Sequence, residues 1–176
     1  MSEPDLLRAA IRDVPDFPKA GVLFKDITPL LKDPAALREA LRRMEERWRD
    51  ESVDAVAGIE ARGFIFGGAL ADRLGIPFVP LRKQGKLPWH VARAEYALEY
   101  GTDAIEMHVD AIEAGQRVLI VDDLLATGGT ARAAAELIEA QGGVVAGFSF
   151  VVSLVFLKGG EKISGYPVQS LVEYGE

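Results

Sequence analysis

Residues 118–130, VLIVDDLLATGGT, concentrate more chemistry than any other stretch of the chain. An apolar, β-branched run ends in two adjacent carboxylates, Asp122 and Asp123. It then passes through Ala126, Thr127, Gly128, Gly129 and Thr130 into a stretch of helix-forming composition. A loop with so little side-chain bulk lets backbone N–H groups at a helix start surround a phosphate, and the hydroxyls of Thr127 and Thr130 add donors. Such a cradle needs no basic residue. Ionised carboxylates are acceptors only, so Asp122 and Asp123 beside that phosphate suit ribose hydroxyls or the orientation of a hydrated magnesium ion. A bare DD pair or GGT is usually a helix cap with acidic residues in the helix-dipole field. The full sequence of strand, carboxylate pair, small loop and helix points instead to a phosphorylated sugar.

A second loop with similar potential is GIEARGF at 58–64, which follows an apolar run and offers backbone N–H groups beside Arg62, whose planar fork matches phosphate oxygens. His90 and His108 lack a partner histidine at ligand spacing, so neither marks a metal site.

These residues need elements to position them. AVAGI at 55–59 and RVLIVDD at 117–123 are strand runs, each followed by a loop and then a helix, 61–75 stopped by Gly75 and 130–141 stopped by Gly142 and Gly143. IPFVPL at 76–81 and VVAGFSFVVSL at 144–154 supply further strands, with PVQSLVEY an edge strand or covering segment. Asp33 and Pro34 open a helix whose Leu37, Leu41, Met44 and Trp48 lay one stripe on a core. Residues 5–14 are predicted as a short amphipathic helix broken by DFPKAG. From Arg82 to about Gly101 no period emerges, and a long loop inside a small domain is usually functional. Alternating strands and helices imply an α/β fold, a mostly parallel sheet with helices on both faces. Ligands then collect beyond the strand ends at the loops after 55–59 and 117–123.

Composition narrows the class. A chain of 176 residues fits one domain. Hydrophobic residues at 49% and charged residues at 27% describe a folding chain. A net charge of -7 argues against general nucleic-acid binding. The absence of cysteine excludes disulfides and thiolate chemistry. The start, MSEPDLLRAA, lacks a secretory apolar stretch, and the longest apolar run, 144–157, is shorter than a membrane span. Cytoplasmic residence is the expectation.

From Asp16 to Tyr174 the chain resembles the phosphoribosyltransferases that use phosphoribosyl pyrophosphate, whose signature is the 118–130 strand and loop. The wording DDLLATGGT resembles the adenine branch. Hypoxanthine and guanine relatives typically carry Asp at the position of Ala126, and alanine cannot face a base with a carboxylate. The resemblance implies a type I phosphoribosyltransferase fold in one domain, 1–176. It has a small N-terminal hood over about 1–34 and a long flexible loop over about 82–104. It also implies adenine and phosphoribosyl pyrophosphate as substrates, AMP and pyrophosphate as products, Mg2+ held mainly by phosphoribosyl pyrophosphate, and a homodimer.

Residue roles follow from the same resemblance. GIEARGF is similar to the pyrophosphate loop. RKQGKLP at 82–88 makes Arg82, Lys83 and Lys86 candidates for the leaving pyrophosphate, where cations stabilise developing negative charge. EYALEYGT at 95–102 assigns proton handling to Glu99 and closure over the substrates to Tyr100. DFPKAGVLFKDITPLLKDP at 16–34 is similar to the base-binding hood. There Phe24 stacks on adenine and backbone groups at Leu23 and Lys25 read its edge; relatives often have Arg at Lys25. The paired glycines Gly159 and Gly160, taken together, and Ser153 depart from relatives that tend to have an Arg and a Glu there, positions of packing or subunit contact. Two rivals remain: transfer to xanthine, hypoxanthine or orotate, opposed by Ala126 and the Phe24 hood, and a sensor of phosphoribosyl pyrophosphate that binds nucleic acid, opposed by the charge.

Overall fold

The computed structural model describes residues 5–97 and 101–175. The chain divides into two compact units, 1–43 and 44–176, and the division falls inside a helix.

In the first unit, Asp5 caps α1 (Leu6–Ala9) by accepting from the Leu7 amide at 3.2 Å. The helix predicted over 5–14 stops there. Arg12–Pro15 instead forms β1, antiparallel to β2 (Leu23–Asp26), with Val14 opposite Phe24 and Asp13 opposite Lys25. Two cross-strand ion pairs, Arg12 to Asp26 at 2.5 Å and Lys25 to Asp13 at 2.6 Å, reinforce this pairing. A partner strand ten residues away outcompetes the local helical pattern because strand preference depends on cross-strand contacts. Asp26 also accepts from the Thr28 amide at 2.9 Å, opening the short α2 (Thr28–Lys32). Asp33 caps α3 (Pro34–Trp48) as its sequence predicts, accepting from the Ala35 amide at 2.8 Å.

The second unit is built on a sheet. Its elements are β3 (Ala55–Ile59), α4 (Gly63–Leu74), β4 (Phe78–Lys83), β5 (Val91–Ala97), β6 (Thr102–His108), β7 (Arg117–Leu125), α5 (Gly129–Ala140), β8 (Val144–Leu154) and β9 (Val168–Tyr174). Among the described residues the strand order is β5-β6-β4-β3-β7-β8-β9. The pairs β4/β3, β3/β7, β7/β8 and β8/β9 are parallel. Val118 and Ile120 of β7 share one core with Ala131, Ala134, Leu137 and Ile138 of α5, while Leu119 and Val121 alternate to the opposite face and are equally buried. α4 packs on β3 and β7. A strand covered on both faces becomes a continuous apolar run, which is why β3, β7 and β8 are legible as runs. Met44 and Trp48 are core residues, 0% and 1% exposed, and the Trp48 indole donates to Gln169 at 3.0 Å.

The segment expected as a long loop carries a hairpin. β5 pairs antiparallel with β6 over seven register positions, and β6 docks antiparallel on β4 through Arg82 opposite Glu106 and Lys83 opposite Ile105. The inward side chains of β5 are Ala92, Ala94 and Tyr96, two of them too small to give a clear hydrophobic alternation. No helix among the described residues is long and apolar enough to cross a membrane.

Candidate functional site

Because β3 and β7 are parallel neighbours, their carboxyl ends deliver two loops to the same sheet edge. α4 approaches closely there. Gly63 begins it, and a Cβ on Gly63 would lie 2.8 Å from the Val121 carbonyl oxygen and 3.0 Å from the Asp122 carboxylate, so only glycine brings this helix start against the end of β7. Between the loops lies a cavity of about 380 Å³, lined by Glu60, Ala61, Arg62, Lys83, Tyr96, Asp122, Asp123 and Thr130 among others. A cavity of this size suits a small phosphorylated molecule rather than a macromolecular surface.

The two carboxylates are not equivalent. Asp123 is buried and accepts from the Arg62 guanidinium at 2.5 Å, so the β7 loop is tied to the β3 loop by one charge-assisted bond. Asp122 accepts the Asp123 amide at 2.8 Å. Burial, and then the neighbouring Asp123 charge, push the Asp122 carboxyl well above its ordinary range. Two acidic groups with one guanidinium between them favour a further cation or a hydrogen-bond donor at this edge.

Beside this cavity, and sharing Asp122, Leu124 and Thr130 with it, is a second one of about 90 Å³ formed by Ala126, Thr127, Gly128, Gly129 and Phe150. Gly128 precedes α5 at φ +77°, a left-handed conformation that side chains rarely adopt. The first amides of α5 have no partners within the helix, and Thr130 lines both cavities, so the helix start is suited to an anion.

The basic residues divide. Lys83 lines the larger cavity and its ammonium pairs with Asp103 at 2.6 Å, raising the Lys83 pKa and lowering that of Asp103. The Tyr96 hydroxyl reaches the same Asp103 oxygen at 3.1 Å and also meets Thr130. Arg82 turns to Glu60 at 2.9 Å and donates to the Lys86 carbonyl at 3.2 Å. Glu60 also accepts the Lys83 amide at 3.0 Å. Arg82 and the exposed Lys86 are not brought to the cavity wall. Glu99 and Tyr100 lie outside the described residues.

Leu23, Phe24 and Lys25 stand in order along β2, in the first unit. Leu23 is exposed, and the Lys25 ammonium is buried on Asp13. Phe24 meets Phe17 edge-to-face, ring centres 5.1 Å apart, and with Val14 and Asp26 they line an apolar space of about 240 Å³. An aromatic edge pair over an apolar space is a surface on which a flat ring stacks.

Sequence reasoning did not assign Glu60, Tyr96 or Asp103. Glu60 lies within the GIEARGF stretch and Tyr96 within EYALEYGT, but the local sequence of neither indicates its partner. Asp103 has no local signal, because its partners Lys83 and Tyr96 reach it only through the β4–β6 and β5–β6 pairings.

Residues 26–166 match the phosphoribosyl transferase domain family. The chain is 57% identical to the adenine phosphoribosyltransferase of Methylococcus capsulatus over 97% of its own length and 99% of the relative's. Its structure is similar to that of the adenine phosphoribosyltransferase from Thermoanaerobacter pseudethanolicus, with TM-score 0.92, 50% identity and coverage of 96% and 98% of the two chains. The Saccharomyces cerevisiae adenine phosphoribosyltransferase, crystallised with an imino-altritol bisphosphate and adenine, matches with TM-score 0.87 and 43% identity over 94% of this chain and 96% of that one.

Proposed function

The chain belongs to the phosphoribosyltransferase family, in its adenine branch, and on that premise we infer that it transfers the 5-phosphoribosyl group of phosphoribosyl pyrophosphate to N9 of adenine, giving AMP and pyrophosphate. The observation that carries this reading is the end of β7. It joins a carboxylate pair to an anion cradle of small residues within a few positions, the combination a ribose 5-phosphate requires.

In this reading the first amides of α5 with Thr127 and Thr130 hold the 5′-phosphate, and Asp122 and Asp123 accept from the ribose hydroxyls. Arg62 and Lys83 are positioned for the diphosphate, with Lys83 exchanging Asp103 for it. Arg82 and Lys86 take a supporting part, Arg82 by fixing Glu60 and the turn after β4. Magnesium would be held mainly by the diphosphate, with Asp122 and Asp123 placed to orient it, and would offset charge on the leaving group.

The N9–C1′ bond forms as the bond from C1′ to the diphosphate oxygen breaks, through an oxocarbenium-like transition state. The N9 proton passes to a base, and we assign that role to Glu99, with Tyr100 closing the site. Phe24 gives adenine a stacking face, while backbone groups at Leu23 and Lys25 read its edge, supported by the engagement of the Lys25 side chain with Asp13. Ala126 offers no carboxylate to the base. We further propose a single catalytic domain over 1–176 with the hood at about 1–34 and a closing segment at about 82–104, working as a cytoplasmic homodimer.

The test is product stoichiometry. Adenine and phosphoribosyl pyrophosphate with Mg2+ are expected to give AMP and pyrophosphate one to one, with loss of turnover on chelation. Hydrolysis without AMP would refute the reading.

A further inference from the structure

Gly159 lies outside the sequence motif yet touches its backbone. It begins a 3₁₀ turn, Gly159–Ile163, and is buried. A Cβ built on Gly159 would lie 2.2 Å from the Ala126 carbonyl oxygen and 2.9 Å from the Gly128 nitrogen. Conversely, a Cβ on Gly128 would lie 2.3 Å from the Gly159 carbonyl oxygen. These are contacts of backbone on backbone, which no change of rotamer relieves. The conformation of Gly159 is outside the left-handed region, so an alanine there is opposed by its neighbours and not by its own φ. Gly160, the next residue, has nothing within 4 Å of a built Cβ. The two adjacent glycines, indistinguishable as sequence, therefore have opposite tolerances.

We propose that Gly159 is a positioning residue for the 5′-phosphate cradle: its backbone buttresses Ala126 to Gly128 from behind and sets where the loop amides point. A methyl group at 159 must displace Ala126 and Gly128, and with them the donors that a phosphate would use. The inference rests on residues 126–130 being the 5′-phosphate site.

The experiment titrates the wild type, Gly159→Ala and Gly160→Ala with ribose 5-phosphate and, separately, with magnesium pyrophosphate, and measures steady-state constants for both substrates. Displacing loop donors by an ångström-scale shift is expected to weaken ribose 5-phosphate and raise the KM for phosphoribosyl pyrophosphate about tenfold or more in Gly159→Ala. Pyrophosphate binding and the adenine KM should stay within about twofold, since no group contacting them moves. Gly160→Ala should match the wild type. Wild-type behaviour of Gly159→Ala, or an equal loss of all ligands, would overturn the proposal. If the wild type binds no ribose 5-phosphate, the cradle assignment falls first and this inference with it. Should Gly159→Ala fail to fold, amide exchange in the wild type decides. Ribose 5-phosphate is expected to slow exchange at 157–161 as well as at 126–130, and slowing confined to 126–130 would count against the buttress.

Discussion

The two sides of the candidate site are made differently. The end of β7 and start of α5 form their anion cradle from backbone, with Gly128 in a left-handed conformation and little side chain to move. The β4–β6 side presents its cation through a side chain held by a carboxylate, Lys83 on Asp103, while Arg82 on Glu60 stays off the cavity wall. A backbone cradle is set before ligand arrives, whereas a paired lysine must leave one partner for another. The difference suggests a division of labour: the fixed side holds the part of the substrate that stays, and the adjustable side meets the part that leaves.

That contrast orders the expected losses. Gly128→Ala meets both the Gly159 carbonyl and a φ that side chains rarely adopt, and it is expected to lower kcat/KM for phosphoribosyl pyrophosphate by about a hundredfold or more. A smaller loss there than in Lys83→Ala would break the comparison. Asp123→Ala removes the proposed ribose acceptor and the charge-assisted bond to Arg62, and a rise in the KM for phosphoribosyl pyrophosphate of between about ten- and a hundredfold is expected in steady-state assays. Unchanged kinetics would remove Asp123 from the ribose site. Asp103→Asn acts in the opposite direction. It releases Lys83 from an exposed ion pair of modest strength, so the KM for phosphoribosyl pyrophosphate should fall by about twofold. A rise would mean that Asp103 positions Lys83 rather than restrains it.

The carboxylate pair adds a pH test with a definite sign. The Asp122 carboxyl is raised above its ordinary 3.8, so the folded state holds its proton more tightly than the unfolded chain does. Stability from this group is therefore present at low pH and declines as pH rises from about 3.8 through the raised value. Asp122→Asn, which cannot ionise, is expected to gain stability relative to the wild type across that rise in denaturant melts. A constant difference at all pH values would contradict the shift.

The same contrast explains what could be read from the chain. β3, β7, β8, α5 and the cap at Asp33 are encoded by contiguous residues, so runs, glycines and caps locate them to within a few positions. The DD-to-GGT crossing belongs to this class. The β5–β6 hairpin, the β1–β2 pair and the engagements of Lys83, Arg82 and Lys25 depend on which strands pair and in what register, and neither leaves a trace within a single strand. Gly159 is the extreme case. Its neighbour Gly160 has the same residue type, and only the approach of Ala126 and Gly128 separates them. The edge-to-face contact of Phe24 sits between these cases: the aromatic side chain is visible in the sequence, but its contact with Phe17 is not.

The central claim is adenine transfer, and the most direct measurement is pyrophosphate release with Mg2+ and phosphoribosyl pyrophosphate across adenine, hypoxanthine, guanine, xanthine and orotate. Adenine is expected to have the highest kcat/KM, by about a hundredfold or more, because a base edge read by hydrogen bonds leaves groups unpaired when amino and oxo substituents are exchanged. A higher kcat/KM for any of the other four bases would contradict the account.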